Sequence, residues 1–309
     1  MKTETLTEGE QEHGFDTRIV RYEEIHKVTG KEYEALIKAI DPQPGEAILE
    51  GCAGYADVSQ HIIEATQDFD EKTEIYILDE SPVQIARARK ELGTLPDGHV
   101  LVGDIRETGL PDNKFDKAVI KMGVHELPQQ EQPKAFAEIN RVLKPGGKVI
   151  IWELSLDQDT QKAFQDVIRK KDELAGFDLL VANRYFQRHD ELEALFEDAG
   201  FEEVKDEHHI RYVFNPKGRI DELVSKERLQ MKNEKVDISP EDEETLHQLG
   251  QRRVDALIAY IRERVATLPE EIRQKIEYKD LGDDIEMTFD KIIMSGRKKR
   301  KSNNLWLEQ

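Results

Sequence analysis

The sequence has one cysteine, Cys52, in 309 residues, which excludes an internal disulfide and a multi-thiolate metal site. It has no run of about 18 apolar residues, the length a membrane-crossing helix needs. The opening residues, MKTETLTEGEQEHG, are polar where an export signal is apolar. The expectation is a chain of the reducing cytoplasm with no membrane partner. Positive charge is also short: 45 Lys and Arg face 65 Asp and Glu, a formal net charge of −20. A surface of that sign repels phosphate backbones, so no nucleic-acid partner is expected. The exception is Arg297, Lys298, Lys299, Arg300 and Lys301, which lead into a basic and polar tail, 299–309, read as solvated. No histidine has a second ligand at metal-binding spacing, and no metal is expected.

What the chain does have is a rhythm of short apolar runs and helical stripes. In AILEGCAGYADV, residues 47–58, an apolar run ends at Glu50, and the small residues Cys52, Ala53, Gly54 and Ala56 follow where the chain must turn. A buried strand, a tight turn and the amide-rich start of a helix build a nucleotide site at the carboxyl edge of an α/β sheet. Ile75 to Leu78 is a second strand, closed by Asp79 and Glu80, before Ser81 caps a helix with Pro82 at its first position. An acid there is placed to accept hydrogen bonds from ribose hydroxyls. A third strand, 99–102, runs into Gly103, Asp104 and Ile105; Asp104 is either a loop cap or an acceptor for an adenine amino group, with Ile105 on the ring. Ala118 to Ile120 is a fourth strand that opens into Lys121, His125 and Glu126. A helix over 130–143 and the strand KVIIWEL follow. Short alternating strands and helices predict a doubly wound, mostly parallel α/β sheet.

In this order ILEGCAGYA, LDESP, GDI, LPDNKFD and EINRVLKPGGKVII, with ELEALFEDAGFEEV after them, resemble the class I S-adenosylmethionine-dependent methyltransferases over about residues 45–215. The resemblance implies a seven-stranded Rossmann-like sheet and S-adenosylmethionine as cofactor. It implies that Glu50 anchors the methionine end, that Cys52, Gly54 and Ala56 stand where the family has loop glycines, that Asp79 binds ribose, and that Asp104 and Ile105 hold adenine. Gly51, Glu80 and Lys121 complete the expected cofactor site. Two of the loop glycines are replaced, by Cys52 and Ala56, which narrows the space or changes the turn.

The remainder divides into amino-terminal helices (1–44) set to cap the site, the core (45–215), a helical insertion (216–283) and a last strand (284–298). Within the insertion, Ser239 and Pro240 start a long helix whose apolar stripe from Leu246 to Leu268 serves either as a lid or as a surface for a second copy, a homodimer contact. Methyl transfer from a sulfonium needs in-line approach and exclusion of water, and a base where the acceptor holds a proton. His125 is the candidate base, or else a loop histidine bonded to backbone; Lys121 is placed to orient an acidic substrate. Tyr22, Glu126, Tyr185, Arg211 and Tyr212 are candidate pocket residues for a small or medium-sized acceptor. Two other readings stay open: a catalytically silent subunit of the same fold, and a nicotinamide dehydrogenase.

Overall fold

The computed structural model describes residues 30–93, 95–234 and 238–300. Tyr22 and the first of the expected amino-terminal helices lie outside the described residues. Five strands, β1 (Ala47–Gly51), β2 (Glu74–Asp79), β3 (Val100–Val102), β4 (Phe115–Lys121) and β5 (Leu143–Ser155), pair in parallel in the order β3-β2-β1-β4-β5. β6 (Phe201–Phe214) is the far edge, because the last strand, β8 (Ile285–Lys298), inserts antiparallel between it and β5. The sheet has eight strands and not seven: the two-residue β7 (Lys279–Asp280) pairs with the start of β8. Two residues are too few to carry a strand's alternating pattern, so nothing in the sequence announces β7.

Alternation along each strand sorts the core into two faces. Ile48, Ile77, Val119 and Ile150 pack under α1 (Gly30–Ile40), α2 (Asp57–Thr66) and α3 (Pro82–Leu92). Their neighbours Leu49, Leu78, Ile120 and Ile151 point the other way, toward α4 (Gln132–Val142). Both faces are covered, which is why these strands read as near-continuous apolar runs. α3 starts as its sequence predicts, with Ser81 Oγ accepting the Gln84 N–H at 3.1 Å and Pro82 in the first turn.

Two helices that the periodicity above does not announce, α5 (Gln158–Ala175) and α6 (Asp178–Asn183), follow β5, and α7 (His189–Asp198) joins α4 on its face. Beyond β6 come α8 (Ile220–Leu223), α9 (Ser225–Glu234), α10 (Pro240–Ala266) and α11 (Glu270–Lys275). Ser239 and Asp242 form a reciprocal capping box at the start of α10. Val254, Leu257, Ile258, Ile261 and Val265 of α10 are buried with Phe164 and Ile168 of α5, Leu223 of α8 and Phe214, Met287 and Phe289 of the sheet. Each such side chain contributes about 1.5–3 kcal/mol through burial. The apolar stripe of α10 is therefore buried inside this chain, at the carboxyl edge of the sheet. Among the described residues no helix is long and apolar enough to cross a membrane.

Candidate functional site

The turn after β1 keeps a glycine-like path without two of its glycines. Cys52 (φ 51°) and Ala56 (φ 61°) both take the left-handed conformation, as does Gly54 (φ 52°). For a residue with a Cβ this costs about 1–2 kcal/mol, so the substitutions are accommodated by strain and not by a different turn. Space, too, is allotted residue by residue. A Cβ on Gly51 would stand 2.6 Å from Ile105 Cδ1, and one on Gly123 would overlap the Cβ of Cys52. Gly123→Ala is expected to cost about 2 kcal/mol by overpacking, since strained Cys52 has no easy retreat. Thermal melts should show most of that loss recovered in the Cys52→Gly, Gly123→Ala double variant, because the overlap is then gone.

Beside this turn a cavity encloses about 1010 Å³, part of it open to solvent. Glu50, Cys52, Asp79, Glu80, Asp104 and Lys121 are on its wall, and Gly54 and Ile105 face it as well. Gly51 and Ala56, expected at the same site, are behind that wall: Gly51 is covered by Ile105, and Ala56 is buried where α2 begins. Asp79 accepts the Gly54 N–H at 2.8 Å through Oδ2 and the Ser81 N–H at 2.9 Å through Oδ1, which ties the turn to the end of β2. Glu50 accepts the Ser59 N–H at 2.8 Å. Burial raises its carboxyl from the ordinary 4.5 to about 7, against the hydrogen bonds from Ser59 and the charge of Lys121. Asp104 is gripped by Arg106, whose Nε lies 2.9 Å from both carboxylate oxygens. Burial alone would raise this carboxyl, but that grip holds it below the usual range. Burial, then the charges of Asp79 and Glu80, push the Cys52 thiol well up, so it is no thiolate nucleophile.

A second cavity, about 570 Å³ with its opening to solvent included, shares Met122 and Glu126 with the first. Met122 holds the shared wall in a left-handed conformation of its own (φ 54°). Apolar side chains of β5, α5, the loop before α7 and the sheet edge, among them Leu154, Phe164, Phe186 and Phe214, form one part of the lining. Buried charged residues form the rest, with Glu153 and Asp172 behind them. Glu153 accepts the Val124 N–H at 2.8 Å and the His125 Nδ1–H at 2.7 Å. His125 Nε2 is 3.4 Å from Glu126, which takes both arms of Arg184 at 2.6 Å. Arg184 reaches Asp172 at 2.6 Å, Lys171 bridges Asp172 and Glu222, and Arg219 donates to the Tyr212 hydroxyl. Burial works against charge on His125, yet Glu153 and Glu126 outweigh it and hold the imidazole above its ordinary value. Its Nδ1 is engaged by Glu153 and its Nε2 faces Glu126, so both ring nitrogens have carboxylate neighbours. His125, expected as a base, thus sits between Glu153 and Glu126 in a chain of buried charges.

The expected pocket residues separate accordingly. Glu126, His125 and Tyr212 line the second cavity. Tyr185 does not: its hydroxyl donates to Glu191 at 2.9 Å, and only its backbone N–H meets the His125 carbonyl. Arg211 points to the outer face of β6, 53% exposed, where it pairs with Glu277 and Asp290. Adjacent residues of one strand face opposite sides, so Arg211 and Tyr212 were never able to share a pocket. Glu153, Lys171, Asp172, Arg184, Arg219, Glu222 and Lys291 escaped the sequence reading. Glu153 carried a usable signal, a single charge inside the apolar run of KVIIWEL; the others did not.

Comparison with known proteins bears on this arrangement. The Methyltransferase domain family matches residues 48–147, the span from β1 to the start of β5. A demethylmenaquinone methyltransferase of Bacillus cereus is 30% identical over 196 residues, covering 58% of this chain and 78% of that one. The chain belongs to the class I S-adenosylmethionine-dependent methyltransferases. An uncharacterized methyltransferase of Geobacillus sp. is 26% identical over 191 residues, 60% of this chain and 84% of that one. A solved structure of a methyltransferase from Bacillus halodurans shares the fold, with a TM-score of 0.61 and 17% identity over 87% of this chain and all (100%) of that one. The YcgJ protein of Bacillus subtilis does likewise, at 0.60 and 14%, over 88% of this chain and 100% of its own. This methyltransferase takes its methyl group from S-adenosylmethionine, and the nicotinamide-dehydrogenase reading falls away. The residues present suit that donor: among the described residues, apart from its chain neighbours, no atom comes within 4 Å of where a Gly54 Cβ would stand, so they leave room above the turn. Around that room stand carboxylate acceptors and one lysine, a donor set matched to hydroxyl, amino and carboxylate groups.

Proposed function

We propose that this methyltransferase holds the adenosyl donor in the first cavity and a small-molecule acceptor in the second, with transfer across the shared wall at Met122 and Glu126. One observation carries the reading: Glu50, Asp79 and Asp104, from the tips of three neighbouring strands, line one cavity beside the Gly54 turn. In this arrangement Asp79, with Glu80 next to it, accepts from the ribose hydroxyls. Asp104 accepts from the adenine amino group while Ile105 covers the ring, and Glu50 and Lys121 face the methionine end. When bound, the donor supplies a sulfonium methyl group already activated for in-line displacement. The protein's part is to position the acceptor and keep water out. His125 keeps Glu126 and Arg184 in place at the junction. Residues 45–215 and 284–298 act as the core, α1 packs on its face, and the insertion 216–283 brings Arg219 and Glu222 to the acceptor wall while α10 braces α5.

Glu50 gives the test a pH signature. Because its folded-state value lies near 7 and its unfolded value near 4.5, the folded protein binds the extra proton between them. Its burial thus costs stability as pH rises through that window. A methionine ammonium favours the ionised form. Calorimetric titration with S-adenosylmethionine should therefore show binding five- to tenfold tighter at about pH 7.5 than at about pH 6, with Glu50→Gln flattening the difference. No binding to a folded sample at either pH would sink the cavity assignment and favour the silent subunit.

A further inference from the structure

Among the described residues only Met122 and Glu126 line both cavities. They differ in their freedom to move. Both carboxylate oxygens of Glu126 accept from Arg184 at 2.6 Å, and His125 Nε2 stands 3.4 Å from one of them. Met122 is fixed at its backbone, where its N–H donates to the Trp152 carbonyl at 2.8 Å. Its side chain is an unbranched thioether that turns about three single bonds and makes no strong hydrogen bond. That side chain packs against two apolar clusters, one containing Leu154, Phe164 and Phe214 and the other lying under α1, α2 and α3. A left-handed backbone (φ 54°) is a place for glycine. Here the strain is borne by a long side chain, and what a glycine would remove is the partition between the cavities.

The chain neighbours of Met122 set where along the first cavity it stands. Lys121, whose Nζ donates to the Tyr33 hydroxyl at 2.9 Å, and Gly123, set tightly against Cys52, line the cavity with Glu50 at the end assigned to the methionine part of the donor. Asp104 and Ile105 belong to the adenine end. We propose that the Met122 side chain is the movable partition between donor and acceptor, and that its length sets how large an alkyl group on the donor sulfur this methyltransferase admits. This rests on the two-cavity reading above and adds the residue that selects methyl. A rigid wall at this point would block transfer. An open one would join the cavities and let water and larger groups reach the sulfonium. An unbranched side chain on a fixed backbone closes the gap in one rotamer and uncovers it in another. Rejection of one extra methylene by an apolar wall is worth about 10- to 200-fold.

The test is calorimetric titration of the full chain with S-adenosylmethionine, S-adenosylethionine and S-adenosylhomocysteine, the last having no alkyl group to meet the wall. The unaltered protein is expected to bind the methyl donor about tenfold or more tighter than the ethyl donor. That ratio should persist in Met122→Leu, which keeps the volume, and fall below about threefold in Met122→Ala, with Met122→Cys between them. Binding of S-adenosylhomocysteine marks the variants whose site is intact, so a merely structural role, which weakens all three ligands together, leaves the ratio unmoved. A second measurement needs no truncated variant. With the five methionine methyl groups labelled with carbon-13, and the Met122 resonance assigned by its loss in Met122→Leu, that resonance should move at saturation with the methyl donor and move further with the ethyl donor. Three results each overturn the proposal: equal affinity for the methyl and ethyl donors in the unaltered protein, a ratio unchanged in an alanine or cysteine variant that binds S-adenosylhomocysteine, or a Met122 resonance indifferent to both donors. Failure of S-adenosylhomocysteine to bind the unaltered protein overturns the donor assignment, and this proposal with it.

Discussion

Asp79→Ala is expected to weaken S-adenosylmethionine binding by about 100-fold or more in calorimetric titration. The size follows from two losses that act together. A hydrogen bond to a charged acceptor is worth about 1.5–3 kcal/mol, and a ribose diol offers two of them, so roughly 3 kcal/mol of direct contact disappears. The same carboxylate also holds the Gly54 and Ser81 N–H groups, so the turn beneath the donor loses its tie to β2. Asp79→Asn separates the two: one side-chain oxygen survives to hold an N–H, and its affinity should fall between those of the wild type and the alanine variant. Unchanged affinity in Asp79→Ala, with the thermal melt intact, would place the donor elsewhere.

Glu153→Leu is expected to cost about 3–5 kcal/mol of stability, the usual result of stranding one member of a buried charge pair. For a chain of this length that lowers the midpoint of thermal unfolding by roughly 10 °C. Glu153 is fully buried, and its removal leaves two backbone N–H groups and the His125 imidazolium without their acceptor. Glu153→Gln should cost less, because an amide oxygen still accepts the N–H groups. The pH dependence identifies the cause. His125 is held above its ordinary value, so the pair's contribution is fully present below about pH 6.5 and is lost as pH rises through the elevated folded value. Stability measured by denaturant titration across that range should be flatter in either variant. A slope equal to the wild type's would show that the pair is not charged.

How much of this was legible beforehand depends on how local the chemistry is. The turn after β1, Asp79 and the Ser81–Pro82 start belong to short contiguous stretches, where spacing alone dictates geometry. The acceptor wall has no such stretch. Lys171, Arg184, Arg219, Glu222 and Lys291 come from α5, the loop before α7, the segment after β6, and β8. Only tertiary packing brings them together. Glu153 in KVIIWELS was the exception, because a charge is not placed in an otherwise apolar strand without a partner. The Arg211 and Tyr212 pairing failed on an equally local rule, the alternation of side chains along a strand. β7 was missed because a two-residue ladder has no alternation to read, whereas α5 did carry a helical stripe, Phe164, Val167, Ile168 and Ala175, that went unread among its many charges.

The insertion of β8 between β5 and β6 sets an order of events during synthesis. Until residues 285–298 leave the ribosome, β5 has an open edge and β6 has no neighbour to pair with. Both are then sticky templates for other nascent chains. The half of the sheet that carries the turn after β1 has all its strands early, whereas the lining of the second cavity must wait for Lys291. A ribosome that stalls before the final strand thus leaves a fragment equipped with the turn after β1 and lacking a complete second cavity.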